Sequence, residues 1–348
     1  MADSVSVIIP AYNCASSIMV AVRSVLSQSK KNWELIIVDD HSTDKTWEVI
    51  SELAKLDGRI KIIKNKMGKG ASAARNAGIK LASFEYIFFL DSDDKINRDC
   101  LMLLSNALVE HQADIAVSNQ VHIKKAVRKD VVFFLENTLL DKRQIDEYIQ
   151  YYSYAPYSRY MFVHCWGRIY LKSIIEKAGI EFNHELSQFE DVNFNLQYLS
   201  TISKCVVVKE KLYEYVVGDN QNSMSFKTGS CGNIVNALWL AFKPLDSFFG
   251  VGLSGDAVRK VKINAIGGML MVIILRLCRN FMHTFEFKNI KIILDISSSA
   301  VFLDFVSQRK PLKGESKILY WSSRSKIPAC VVIAGMIRVL YLKVRHGY

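Results

Sequence analysis

Short, wholly apolar runs that stop abruptly at clusters of acid are the feature that most limits what this chain can fold into. Residues 35–38 (LIIV) run into Asp39-Asp40, and residues 86–90 (YIFFL) run into Asp91-Ser92-Asp93-Asp94. Four or five consecutive apolar residues suit a strand buried on both faces, as in a parallel sheet covered by helices. Residues 5–10 (VSVIIP), 60–63 and 115–117 are further runs of this kind. Between them lie helix-like segments: 15–28, capped by Ser16 or Ser17; 44–56, with Trp47, Ile50 and Leu53 on one face; 70–81; and one near 98–111. Strands alternating with helices predict an α/β fold with a Rossmann-like, doubly wound, mostly parallel sheet. Ligands of such sheets sit beyond the C-terminal strand ends, where both acidic clusters fall.

The 348 residues are 50% apolar and 23% charged, which excludes disordered, collagen-like and disulfide-stapled classes. Seven scattered cysteines, with no C-x-x-C pair, read as buried thiols of a reducing compartment and not as a zinc site. The opening MADSVSVIIP has neither the basic stretch nor the cleavage site of a secretory signal, so an intracellular protein is expected. The net charge of +11 is concentrated: residues 1–230 balance 28 cations against 28 acids, while 231–348 hold 17 against 6. The expected organisation is a neutral unit in two halves, 1–120 and 121–230, followed by a basic, mostly helical region at 231–348. Such a region meets nucleic acid, a membrane surface or an acidic partner. Its longest uncharged runs, 263–275 and 327–337, fall short of the roughly 20 residues a spanning helix needs, so lying on a membrane is expected over crossing it. A nucleic-acid reading has only charge behind it, with no recognition motif.

Three clusters carry chemistry. Carboxylates spaced D-x-D on a turn, Asp91 and Asp93, can share one hard divalent cation, Mg²⁺ or Mn²⁺. Acids after a strand also serve as turn formers and helix caps. The adjacent Asp39 and Asp40 repel one another unless solvent, donors or a ligand satisfy them, and a carboxylate suits the N3–H of a uracil ring. The small residues of 68–78 (GKGASAARNAG) let backbone approach a ligand or the sheet, with Arg75 placed to face a nucleotide. Their spacing is not that of a Walker A loop.

In order along the chain, VSVIIPAYN, WELIIVDDHSTD, GKGASAARNAG and YIFFLDSDD closely resemble the nucleotide-binding half of family 2 glycosyltransferases with the GT-A fold. The resemblance is strong over residues 4–120 and looser to about 226. It implies that Pro10, Ala11, Tyr12 and Asn13 line the nucleotide pocket. Asp39 and Asp40 should hold uracil, with Asp40 preferred, and Arg75 should lie over the nucleotide. Asp91 and Ser92 should meet the nucleotide sugar, Asp91 reaching ribose or metal, and Asp93 should ligate a metal bridging the diphosphate. His41 stands where the family commonly has glycine.

Residues 189–194 (FEDVNF) resemble the family's Glu-Asp motif, making Asp191 the expected base and Glu190 the second choice. Two acids opening a helix also complement its dipole. Residues 164–170 (HCWGRIY) resemble the Trp-containing segment that shapes the acceptor pocket, so Trp166 is an expected acceptor contact, against the commoner fate of a core ring. Residues 213–216 (YEYV), followed by Asn222-Ser223, resemble a Tyr-x-Tyr-Arg…Ser element with Val216 in place of arginine; Lys227 or Arg159 would then cover the diphosphate. The implied activity is metal-dependent, inverting transfer of a hexose or N-acetylhexosamine from a UDP-sugar to a hydroxyl of a glycan or lipid-linked glycan. The setting would be surface polysaccharide, lipopolysaccharide or glycoprotein glycan assembly. The expected location is the inner face of the cytoplasmic membrane, through an anionic lipid surface. The alternative is a non-catalytic nucleotide-binding module that uses its basic region to bind membrane or nucleic acid.

Overall fold

The computed structural model describes residues 4–124, 127–154, 161–216, 231–249, 254–308 and 317–346. The chain divides into two compact units, Met1–Asp146 with Met161–Phe226, and Glu147–Tyr160 with Lys227–Tyr348.

The first unit opens with β1 (Val5–Ala11), α1 (Ile18–Leu26), β2 (Trp33–Asp39), α2 (Thr46–Ala54), β3 (Ile60–Lys64), α3 (Ala71–Leu81) and β4 (Tyr86–Phe89). There follow β5 (Lys95–Ile96), α4 (Cys100–His111), β6 (Ile115–Lys124), β7 (Val127–Val131), β8 (Thr138–Asp141), α5 (Lys142–Tyr154, whose residues from Glu147 on belong to the second unit), β9 (Arg168–Leu171), α6 (Lys172–Ala178), α7 (Glu190–Thr201) and β10 (Lys204–Val216). The apolar runs form the centre of one sheet, in the order β3-β2-β1-β4-β9-β6-β10-β5, with β7 beside β6 and β8 beside β10. Strand β1 pairs parallel with both β2 and β4, Ile8 lying opposite Ile36 and Phe89. Strand β9 enters antiparallel between β4 and β6. The sheet is therefore mixed but parallel through its nucleotide-side half, as a GT-A domain is.

Burial on both faces explains the unbroken apolar spelling. All seven residues of β2 and all four of β4 are buried. Each fully buried Ile or Phe contributes roughly 1.5–3 kcal/mol over an exposed one. Helix α3 lies close against the sheet because it spends small residues there: Ala73, Ala74, Ala77 and Gly78 are buried. A Cβ on Gly78 would stand 2.4 Å from Ile8 Cγ2.

Strand β6 is longer than the three apolar residues 115–117 suggest. Its polar continuation is held by antiparallel pairing with β7 and parallel pairing with β10, neither of which is written in local periodicity. The boundary expected at residue 120 thus falls inside a strand.

The second unit holds α8 (Cys231–Ala241), α9 (Leu245–Phe249), α10 (Gly255–Thr284), α11 (Phe287–Ser298), α12 (Ala300–Gln308), α13 (Lys317–Arg324) and α14 (Pro328–His346). Among the described residues from 231 onward every element is a helix. The uncharged run 263–275 is the middle of the 30-residue α10, long and apolar enough to cross a membrane by length and composition. Yet 78% of its apolar window is buried, packed against α11, α12 and α14. A Cβ on Gly267 would meet the Phe305 ring at 2.1 Å, so α12 crosses it at close range. Helix α10 has the burial of a bundle core.

The thiols of Cys14, Cys100, Cys165, Cys205 and Cys278 are buried and that of Cys330 half-buried, all unbridged.

Candidate active site

The site is built at the C-terminal ends of β1, β2 and β4, where the apolar runs end and the chain must turn. After β1, Tyr12 projects into solvent and Asn13 takes a left-handed conformation, φ 47°. The Asn13 carboxamide oxygen accepts the Thr43 N–H at 2.7 Å, and its backbone N–H donates to Ser42 Oγ at 3.0 Å. The loop after β1 is thereby fastened to the loop after β2. Pro10 is half-buried and Ala11 buried at the strand end.

The two acids after β2 have divided their work. Asp40 accepts from Asn65 Nδ2 at 2.8 Å and from the Gly70 N–H at 2.7 Å, so both its oxygens hold the loop that leads into α3. Gly70 itself has φ 104°, open to glycine without strain. Asp39 is also buried, but its Oδ1 has no hydrogen-bond partner among the described residues. A buried carboxylate oxygen left unpaired is costly unless a ligand completes it. Both oxygens of Asp40, the acid preferred for uracil, are thus engaged by the fold, whereas Asp39 keeps an oxygen without a partner among the described residues. His41 occupies a left-handed turn position, φ 61°, and its Nε2 lies 3.2 Å from the Gly68 carbonyl. That backbone conformation is why glycine is common there.

After β4, Asp91 is half-buried, Ser92 stands within hydrogen-bonding reach of the buried Cys14 thiol, and Asp93 is exposed. Surrounding protein and then the Asp91 charge push the Asp93 carboxyl above its usual range. Asp94 is fully buried and anchors the turn: its Oδ2 accepts from the Tyr213 hydroxyl and its Oδ1 from the Val216 N–H, each at 2.7 Å. Burial, then the charges of Asp91 and Asp93, push the Asp94 carboxyl well up, against the pull of those two donors. The Tyr213 hydroxyl also receives the Asp91 N–H at 3.3 Å. The valine at 216 thus serves the acidic turn through its backbone. Asn222, Ser223, Lys227 and Arg159 lie outside the described residues.

Arg75 joins the strand-edge acids to the second half of the unit. It is 4% exposed, with Nη2 2.9 Å from Asp91 and Nη1 3.2 Å from Glu190 and 3.3 Å from Asp191. Its guanidinium lies 5.4 Å from the Phe182 ring centroid. Burial opposes the charged form, but Cys165, Asp191, Asp91 and Glu190 outweigh it and hold Arg75 firmly protonated. Glu190 and Asp191 open α7 directly after Phe189, another left-handed residue, φ 66°. Asp191 Oδ2 accepts the Cys165 N–H at 3.2 Å, while its Oδ1, 3.3 Å from Arg75 Nη1, has no hydrogen-bond partner among the described residues. Burial and the neighbouring Asp191 raise the Glu190 carboxyl, partly offset by Arg75. One guanidinium thus faces three carboxyl groups.

Trp166 is 3% exposed, its ring stacked on Tyr213 at 4.3 Å and on the half-buried His164 at 4.5 Å. The stack places it in the core under the acidic turn. Sequence reasoning gave no role to Asn65, Asp94 or Phe182. Asp94 stood inside a motif already noticed, whereas Asn65 and Phe182 carry no local signal at all.

Among the described residues no three or more His, Cys, Asp or Glu side chains gather as a metal cage. Magnesium, however, commonly takes only one or two protein carboxylates and fills its shell with water and phosphate, and Asp91 with Asp93 supplies that hard-oxygen pair.

A parallel nucleotide-side sheet with paired acids at its C-terminal edge defines a GT-A domain. Residues 6–177 match the family model Glycosyl transferase family 2. An uncharacterized glycosyltransferase of Haemophilus influenzae is 32% identical over 201 residues, 53% of this chain and 78% of that one. The UDP-Glc:alpha-D-GlcNAc-diphosphoundecaprenol beta-1,3-glucosyltransferase WfaP of Escherichia coli is 41% identical over 140 residues, 40% of this chain and 48% of that one. The chain belongs to glycosyl transferase family 2. Other matches reach from 30% to 64% of the relative's length. The crystal structure of S. aureus TarS 1-349 in complex with UDP-GlcNAc superposes with TM-score 0.68 at 19% identity, over 99% of this chain and 92% of that one.

Proposed function

We propose that the chain is an inverting glycosyltransferase that moves a hexose or N-acetylhexosamine from a UDP-sugar to a hydroxyl of a glycan or lipid-linked glycan during surface-glycan assembly. The observation that carries this reading is the Arg75 cluster, which sets a donor-side acid, Asp91, beside the acid pair at the start of α7. Donor and acceptor chemistry need that proximity. The donor class draws support from relatives: WfaP is named for UDP-Glc, and the TarS fold neighbour was crystallised with UDP-GlcNAc.

In this reading Asp39 accepts the uracil N3–H with its unpartnered oxygen, and Tyr12 lies against the base. Asp91 and Asp93 fit a divalent cation, Mg²⁺ or Mn²⁺, which when bound supplies positive charge against the departing diphosphate. Asp191 takes the proton of the acceptor hydroxyl. That oxygen bonds to the anomeric carbon from the face opposite the diphosphate, and the breaking C–O bond leaves its electron pair on the nucleoside diphosphate. Arg75 lies 3.3 Å from Asp191 and keeps it beside the donor-side acid Asp91. Glu190, its carboxyl raised first by burial and then by the neighbouring Asp191, shares the same guanidinium.

The test is nucleoside diphosphate release from a panel of nucleotide sugars with Mn²⁺ or Mg²⁺. Metal-dependent release from a UDP-sugar is expected, and Asp191→Asn should lower it about 100-fold or more. An Asp191→Asn enzyme with near-normal turnover refutes the base; tight UDP binding with no turnover of any sugar, acceptor extracts included, would favour a non-catalytic nucleotide-binding module.

A further inference from the structure

Helix α14 is apolar on both sides, one side buried and the other exposed among the described residues. From Pro328 to Leu342 its single charge is Arg338. Val331, Val332, Ala334 and Val339 are buried, and a Cβ on Gly335 would stand 2.6 Å from Cys278 Sγ of α10. The opposite stripe holds Ile333, Ile337, Leu340 and Tyr341, spaced at helical intervals and 44% to 59% exposed. A helix hydrophobic all round belongs in a core or in lipid. The preceding α13, which packs on α14, continues the pattern: Ile318 is 52% and Trp321 66% exposed, with Lys317 and Arg324 exposed beside them. Ile327, 54% exposed, and Lys326 occupy the turn between the two helices.

The charge on these two helices and their turn has one sign. Residues 317–342 contain Lys317, Arg324, Lys326 and Arg338 and no aspartate or glutamate. Exposed Trp and Ile with flanking Lys and Arg are the composition of a surface that lies in the headgroup layer of a bilayer, its apolar face in the acyl boundary and its cations at lipid phosphates. A second copy of this chain would bring the same cations to the interface and repel. Nucleic acid would leave the apolar stripe in water.

We infer that the exposed face of α13 and α14 docks the chain onto an anionic phospholipid surface. This deepens the proposed function by placing the enzyme where a lipid-linked acceptor would be, and rests on that reading only for its purpose, since lipid binding is measured without turnover.

The test is co-sedimentation of the full chain with vesicles of phosphatidylcholine alone or of a one-to-one mixture with phosphatidylglycerol. Binding to the mixed vesicles, weak binding to phosphatidylcholine, and release by high salt are expected. The double variant Ile333→Glu/Ile337→Glu, changed only at exposed positions, should bind mixed vesicles about tenfold less or weaker still. Val109→Glu, the same kind of change on an exposed residue of α4, should bind like the parent. Nucleoside diphosphate release without vesicles should be the same for all three chains. The inference is overturned if the parent stays in the supernatant with mixed vesicles, if the double variant binds as well as the parent, or if the parent is a dimer in solution that the double variant dissociates without any vesicle binding. Vesicle binding without turnover would leave this inference standing and sink the enzymatic reading.

Discussion

The guanidinium of Arg75 meets the Glu190 carboxylate at 3.2 Å across 115 positions of sequence, while its other terminal nitrogen holds Asp91 at 2.9 Å. A single buried cation therefore fixes the distance between the acid turn after β4 and the acids that open α7. Truncation would leave three carboxylates without their counter-charge, and breaking a buried pair from one side costs about 3–5 kcal/mol. Arg75→Met should lower the urea-unfolding free energy by that amount and abolish nucleoside diphosphate release. Arg75→Lys, which keeps charge without the fork geometry, should recover part of the stability but little of the turnover.

Asp40 has both oxygens tied into the fold while Asp39 has one unpartnered among the described residues, so substitution should tell apart the ligand-facing role proposed for Asp39 and the structural role of Asp40. Asp40→Asn weakens the charge-assisted bond from Gly70 and turns one acceptor into a donor, so it should destabilise by about 1–3 kcal/mol. Asp39→Asn should leave stability nearly level, because its Oδ1 has no hydrogen bond to lose among the described residues. UDP affinity should instead fall about tenfold or more. Calorimetric titration with UDP and urea unfolding of both variants check the division; equal loss of affinity in both, with no loss of stability in either, would overturn it.

Helix α3 can approach β1 only because residue 78 lacks a side chain. Gly78→Ala forces a methyl within 2.4 Å of Ile8 Cγ2, and overpacking of this kind costs about 1–3 kcal/mol. The measurement is the urea midpoint, read beside Gly58→Ala, where a Cβ meets nothing within 4 Å.

His164 gives a pH dependence whose sign is fixed. Desolvation, followed by the Arg168 charge, lowers its folded value to about 3, while in the unfolded chain an imidazole titrates near 6.5. Between those values the unfolded state binds a proton that the folded state refuses. Stability from this group is complete above about 6.5 and falls as pH drops toward 3. Each pH unit is worth at most about 1.4 kcal/mol, less for a half-buried ring. From pH 7 to pH 5 the parent should lose about 1 kcal/mol more than His164→Phe, which keeps the stack on Trp166. Urea unfolding at the two pH values measures it, and equal losses would refute it.

Much of the site was legible because its parts are local. An apolar run ending in acids announces a buried strand and a polar edge within one short stretch, as at β2 and β4, and His41 stood out on a turn that its φ of 61° explains. What was illegible is what depends on partners remote in sequence. The choice between Asp39 and Asp40 turns on Asn65 and Gly70, 25 and 30 positions away. Trp166 reads equally as core or pocket until Tyr213 stacks on it. The run 263–275 looked too short to span a membrane, and only the continuous α10 and its neighbours reveal a bundle core.

By itself the sequence determined the strands, the acidic edge and the basic last third, since periodicity, β-branched content and charge act over a few residues and need no partner. The tertiary structure decided which acid keeps an unpartnered oxygen among the described residues, which arginine binds the two halves of the site, and which residues of α14 are exposed. Those outcomes depend on desolvation and on contacts between distant segments, and a side chain's charge and hydrogen bonds acquire their energetic value only when the fold removes water from around them.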